Sequence, residues 1–206
     1  MMIVIFRVKP PGSADMKVSR EQAAANRERI VEVAGKLFRE HGFDGIGVAD
    51  LMKAAGLTHG GFYGHFRSKD DLAAEACSRT MARASERWAA LARMSRGAAR
   101  AEIVKQYLTE SHCDRPGKGC LLAALGSDAG RQGRAIRRAF REGLGSLVDI
   151  LAKLAPGRSS ARKRKQALAD MAQMVGAMVL ARAVDDRTLA KEILDAAISE
   201  LTPLAH

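Results

Sequence analysis

Proline is scarce in this 206-residue chain, five in all, while runs of Ala, Leu, Glu, Lys and Arg are long. That balance disfavours sheets and loop-rich folds and predicts an all-α protein. Cysteines number three, an odd count with no Cys-x-x-Cys pair. A disulfide framework is therefore not expected, and no spacing fits a strong zinc pattern, so the metal set is read as none. Apolar runs never approach the length of a membrane-spanning helix, which excludes insertion in a bilayer. Catalytic signatures are missing too: there is no phosphate loop, nucleophile elbow, His-Glu-x-x-His or paired-carboxylate pattern, and Gly117, Gly119 and Gly126 follow no strand. The expectation is a non-enzyme without a cofactor. The best enzymatic alternative is an all-helical thiol enzyme using Cys113 or Cys120 with His112.

What is abundant is positive charge. The formal net charge is +11 and the isoelectric point about 10.1, which suits a polyanionic partner. Its distribution does not locate that partner: residues 1–72 hold 11 Lys/Arg against 9 Asp/Glu, and residues 73–206 hold 23 against 14. The C-terminal excess, including Arg79, Arg83 and Arg87 at every fourth position, reads mostly as solvated helix faces. At the N-terminus, Met1–Phe6 is apolar and is followed by Arg7, Lys9 and two prolines, the reverse of a signal peptide. A cytoplasmic protein is expected. Residues 1–16 are read as a disordered or non-native extension.

Residues 42–72 are the most informative stretch. Val48, Leu51, Met52 and Ala55 fall on one face of a helix, and Gly56 supplies a left-handed stop. A second short helix follows, with Thr58 as N-cap and Phe62 and Phe66 as anchors one turn apart, leaving Thr58, His59 and Tyr63 to face outward. Ser68 then opens a third helix with a capping-box pattern ending in Asp71. Gly60, Gly61 and Gly64 burden the middle helix at roughly 1 kcal/mol per interior glycine. Two explanations are open: a tight helix crossing, or a bare backbone laid against a large partner such as a phosphate backbone.

Residues 20–72 resemble the DNA-binding domain of the tetracycline-repressor (TetR/AcrR) family. The stretch GLTHGGFYGHFRSKDDL is similar to the family's recognition-helix signature, and RERIVEVAGKLFREHGFDGIGVADLMKAAG to its first two helices. The resemblance implies a three-helix helix-turn-helix domain over residues 17–67 and a larger helical ligand-binding and dimerisation domain over residues 68–206. It implies a homodimeric repressor on a pseudo-palindromic double-stranded DNA operator, released by a small-molecule inducer. In the family the residues matching Thr58, His59 and Gly60 reach base edges, and those matching Tyr63 and Lys69 hold phosphates. Gly47 and His65 complete the DNA-binding set. Gly47 departs from the pattern, since the family usually places Thr or Ser there as cap and phosphate contact. Phe38, Leu51, Leu57, Phe62 and Phe66 are assigned to the core of this domain.

Beyond it the resemblance is looser. Periodicity predicts a helix from Ser68 to about Ala92, another over 100–112, a loop at 114–119, a short helix over 120–129, and one that stops at Pro156-Gly157. The last two helices carry apolar stripes with small residues among them. From the family pattern, Leu168, Ala172, Val175, Gly176, Val179, Ile193 and Ala197 are the expected dimer interface. Met81, Trp88, Tyr107, Met171, Met174 and Met178 are candidates for an apolar ligand pocket, with ordinary core as the competing reading. Cys77 is expected to be inert. Cys113 and Cys120, near His112, Arg115 and Lys118, are candidates for a thiol of lowered pKa, which would make the chain a redox- or electrophile-sensing regulator instead.

Overall fold

Helix α1, Ser13–His41, buries Ile30, Ala34 and Phe38 at the helical spacing read from the sequence and ends at Gly42, whose φ of +79° provides the stop. A computed structural model describes residues 13–94 and 98–202. The expected extension at 1–12 lies outside the described residues, whereas residues 13–16, expected to share it, form the first turn of α1. The linker Pro10-Pro11-Gly12 precedes that turn, and nothing in Ser-Ala-Asp-Met opposes a helix.

Helix α2 is short, Val48–Ala54, and Gly47 begins it without any side-chain cap. It buries Leu51 and Met52, and Gly56 with φ +70° turns the chain away. The next element departs from expectation. His59–Gly64 is a 3-10 helix, and Thr58, at its N-cap position, makes no side-chain capping bond. Three glycines in six residues weaken α-helical propagation, and a segment this short gains its stability from Phe62 and Phe66 rather than from its own backbone. Helix α3, Lys69–Met94, then starts where the capping pattern placed it, with the Asp71 amide donating to Ser68 Oγ at 3.1 Å.

The body is built around α3. Helices α4 (Ala99–Tyr107), α5 (Glu110–Asp114), α6 (Leu121–Ala129), α7 (Arg134–Leu154), α8 (Ser160–Ala183) and α9 (Arg187–Leu201) complete the fold, with a 3-10 turn at Pro116–Lys118 between α5 and α6. All regular structure among the described residues is helical. The expected single helix over 100–112 is two, because the chain breaks at Leu108 and Thr109 caps α5 by accepting the His112 amide at 3.2 Å. α7 lies against α3 so closely that a Cβ on Gly143 would sit 2.5 Å from Met81 Cβ. Only glycine allows that approach.

Helices α8 and α9 pack as a pair, tied to α4 by a buried polar clasp. Asp170 is 1% exposed; it accepts from Arg100 Nε at 2.8 Å and from Gln166 Nε2 at 2.8 Å, while Arg100 Nη1 donates to the Leu201 carbonyl at 2.6 Å. A buried carboxylate persists only when its oxygens are satisfied in this way. One contiguous apolar core runs from Ile30 on α1 to Leu201 at the end of α9. Among the described residues no helix is long and apolar enough to cross a membrane.

Candidate nucleic-acid interface and ligand cavity

The 3-10 helix presents two unlike faces. Phe62 and Phe66 are buried with ring centroids 5.7 Å apart, while Thr58, His59, Gly60, Gly61, Tyr63 and Gly64 are exposed. Tyr63 stands 68% exposed, stacked edge-on against Phe62 at 5.2 Å and near His59 at 6.3 Å. The glycines here serve no internal packing need. A Cβ on Gly60 or Gly64 would meet nothing within 4 Å, and one on Gly61 would make only ordinary contacts with Thr58 and Met52. None of the three has a positive φ. The tight-crossing explanation therefore fails, and a bare backbone facing open space remains.

Around this face, Gly47 is exposed at the start of α2, and Lys69 is half-buried at the start of α3. His65 is half-buried beside Phe66. Of the assigned core, Phe38, Leu51, Phe62 and Phe66 are buried and Leu57 is half-buried. Sequence reasoning missed the groups that hold this unit in place. Arg27 on α1 forms a two-pronged bond to Glu75 on α3 and lies 4.6 Å over the Phe66 ring. Arg79 pairs with Glu28 and Arg83 with Glu32, both across the α1–α3 seam, so two of the three periodic arginines are not simply solvated. Partners about fifty residues apart leave no local signature.

A cavity of about 310 Å³ opens between α3, α4, α5 and the turn before α6. Met81, Trp88 and Tyr107 line it, with Trp88 and Tyr107 edge-on at 6.2 Å. Met171, Met174 and Met178 do not: all three are buried in the core of α8, because the methionine stripe faces packed neighbours rather than the unfilled space. His112 staples the cavity wall. Its Nδ1 donates to the Tyr107 carbonyl at 2.6 Å, and its Nε2 accepts the Cys120 amide at 2.7 Å, so the ring is held neutral. Burial lowers its pKa, the bond to the Tyr107 carbonyl opposes this, and Arg182 and Arg87 nearby add to the lowering.

Among the thiols, Cys113 differs from expectation. Burial pushes Cys77 up to about 12, and it raises Cys113 as well, with Arg182 opposing. Cys113 thus lacks the lowered pKa of a reactive thiol, since desolvation outweighs its basic neighbour. Cys120 is half-buried and lines the cavity.

The link between the two sites was not legible in the sequence. Arg39, on α1, donates through Nε to the Gly117 carbonyl at 3.1 Å and through Nη1 to Thr80 Oγ1 at 3.0 Å, with Nη2 also on Gly117. Gly117 is buried, and a Cβ there would collide with the Glu40 side chain. Its neighbours Lys118 and Gly119 line the cavity. Helix α1, which packs against α2 and α3, is thereby bonded to the cavity rim.

On the stripe expected to form a dimer interface, Leu168 and Val179 are 45% and 44% exposed, and Ala172 is exposed. Val175, Gly176 and Ile193 are half-buried, whereas Ala197 is buried within the subunit and offers no surface. Leu180 and Leu189, outside the expected interface set, add to the exposed apolar surface of α8 and α9.

Residues 30–76 match the family model described as bacterial regulatory proteins, tetR family. The chain is 37% identical over 57 residues to the HTH-type transcriptional regulator AcrR of Shigella flexneri, covering 28% of this chain and 26% of that one. It is 43% identical over 53 residues to an HTH-type transcriptional regulator of Staphylococcus aureus, covering 26% and 29%. The match thus spans about a quarter of the length of these relatives. Solved structures extend the likeness in fold. Escherichia coli NemR in its reduced form aligns with a TM-score of 0.73 at 23% identity, over 86% of this chain and 95% of that one. Bacillus subtilis FadR in complex with stearoyl-CoA aligns at 0.61 and 16%, over 87% and 99%. Residues 30–76 thus form a domain of the tetR family of bacterial regulatory proteins.

Proposed function

We propose that the protein is a cytoplasmic, homodimeric transcriptional repressor that binds a pseudo-palindromic operator and releases it on binding a small molecule. The observation that carries the reading is the exposed glycine face at Gly60, Gly61 and Gly64, beside exposed Thr58, His59 and Tyr63, where a Cβ on Gly60 or Gly64 would meet open space. Thr58, His59 and Gly60 read base edges in the major groove. Tyr63, Lys69 and neighbouring backbone amides hold phosphates, with Gly47 and His65 at the margin of the contact.

The exposed apolar stripe of α8 and α9 supports a two-fold pairing through Leu168, Val179 and Leu180, a contact that sets the spacing of the two DNA-binding units. The cavity supports ligand control, as does the stearoyl-CoA held by a protein of the same fold. A ligand displaces the loop at 116–119, and the Arg39–Gly117 bond carries that displacement to α1. A second reading, thiol sensing, rests on Cys120 in the cavity wall; release of DNA by oxidant from wild type but not from Cys120→Ser would favour it.

Binding isotherms on operator and random DNA at several salt concentrations test the main reading. His59→Ala should cost about 1–3 kcal/mol on the operator alone. Lys69→Ala should weaken both DNAs alike and reduce the salt slope by roughly 1 per half-site. No sequence-specific binding by wild type, or variants without effect on it, would overturn the proposal.

A further inference from the structure

The geometry points to a small amphiphilic organic anion, a carboxylate on an apolar body, as the ligand class of the cavity. This inference rests on the ligand-responsive reading and names the chemistry that the site selects.

Three observations converge on it. The first is charge. Arg87, Arg115 and Lys118 line the cavity, and among the described residues no aspartate or glutamate does. None of the three makes an ion pair among the described residues, although Arg79 and Arg83 on the same helix as Arg87 are both paired. Cations brought together without compensation favour an anion and disfavour a cation entering between them.

The second is an unsatisfied donor. Tyr107 is 6% exposed, and its hydroxyl, which has only the weak Cys120 thiol beside it, finds no nitrogen or oxygen partner among the described residues. A buried polar group left in that state is destabilising, and a ligand oxygen accepting the phenol proton relieves it. His112 does not compete for this role, because both its ring nitrogens are committed to backbone.

The third is the shape and lining of the remaining wall. Met81, Trp88, Leu91 and Leu147 are apolar, and about 310 Å³ lies at the small end of ligand sites, where one- or two-ring bodies fit. A purely ionic ligand would leave this wall unsolvated, and a purely apolar one would leave the cations and the phenol unmatched.

Trp88 is the single tryptophan of the chain and lines the cavity, so its emission reports occupancy directly. Phenylpropanoate, phenylpropanamide and phenylpropylamine share one body and differ in charge. Titrated into the full-length protein, the carboxylate should shift Trp88 emission saturably and bind about tenfold tighter than the amide, as a charge-assisted contact in a half-enclosed site gives. The amine should bind more weakly than either. An Arg115→Gln, Lys118→Gln double variant should lose the carboxylate's advantage while keeping amide affinity. Tyr107→Phe should weaken the carboxylate with unchanged helical circular dichroism.

Equal affinity for the three probes, stronger binding of the amine, or no response to any of them would overturn the inference. Operator binding by the same unliganded samples keeps the two readings apart. Specific DNA binding without anion preference defeats the ligand class alone; anion preference in a protein that binds no DNA supports the ligand class and defeats the regulator.

Discussion

Arg39 is the residue whose replacement tests the architecture most directly. Its guanidinium is bonded to the Gly117 carbonyl and to Thr80 Oγ1, so it joins α1 to α3 and to the cavity rim. Burial lowers its pKa, the sign of a charge held partly out of water. Arg39→Met keeps the length and apolar stem of the side chain and removes only the donors. Gly117 is buried, so its carbonyl is left without a donor at a cost of about 1–3 kcal/mol, while the half-exposed Thr80 hydroxyl turns to water at little cost. Relief of the guanidinium's own desolvation returns part of this. A net loss of about 1–2 kcal/mol follows, or roughly 2–8 °C in melting temperature for a chain of this size.

Urea unfolding at fixed protein concentration measures the loss. Lys36→Met is the control, since Lys36 is exposed and reaches only Glu40 at 3.8 Å, a pair expected to contribute under ~0.5 kcal/mol. The same Arg39 variant should bind operator but respond less to phenylpropanoate, because α1 no longer follows the rim. Stability within ~0.5 kcal/mol of wild type, together with an unchanged ligand response, would refute both the energetic and the coupling argument.

Asp170→Ala should destabilise by about 3–5 kcal/mol in denaturant titrations, because it strips Arg100 and Gln166 of their shared carboxylate inside the α4–α8–α9 junction; a loss below 1 kcal/mol would mean that water reaches the site. Val179→Glu places a charge in the exposed stripe and should yield monomers in sedimentation and lose tight operator binding, whereas unaltered dimers would move the interface elsewhere. The neutral His112 ring contributes stability that is present in full above its ordinary pKa of about 6.5 and is lost as pH falls through its lowered folded value. His112→Gln should flatten that part of the stability-versus-pH curve, and an unchanged slope would show that the staple is not the titrating group.

The local parts of this protein were written in its sequence. The face of Leu51, Met52 and Ala55, the stop at Gly56, the anchors Phe62 and Phe66 and the Ser68 cap depend on neighbours within one or two helical turns, and such short-range geometry is carried by spacing alone. Whether glycines 60, 61 and 64 served a crossing or an open face was a question about distant atoms, and only the folded chain answered it. The same holds for the break at Leu108, which cut a continuous helical pattern because Thr109 found a capping role there. Apolar periodicity shows which side of a helix turns inward, not whether the inward space is filled. Met171, Met174 and Met178 therefore looked as suited to a pocket as Met81, Trp88 and Tyr107, and tertiary packing assigned the first three to core and the second three to a cavity wall. Arg39 with Gly117, Arg100 with Asp170 and Arg27 with Glu75 are separated by 78, 70 and 48 residues. An ion pair or hydrogen bond across such a span has no period and no composition bias, because it exists only once the helices have docked.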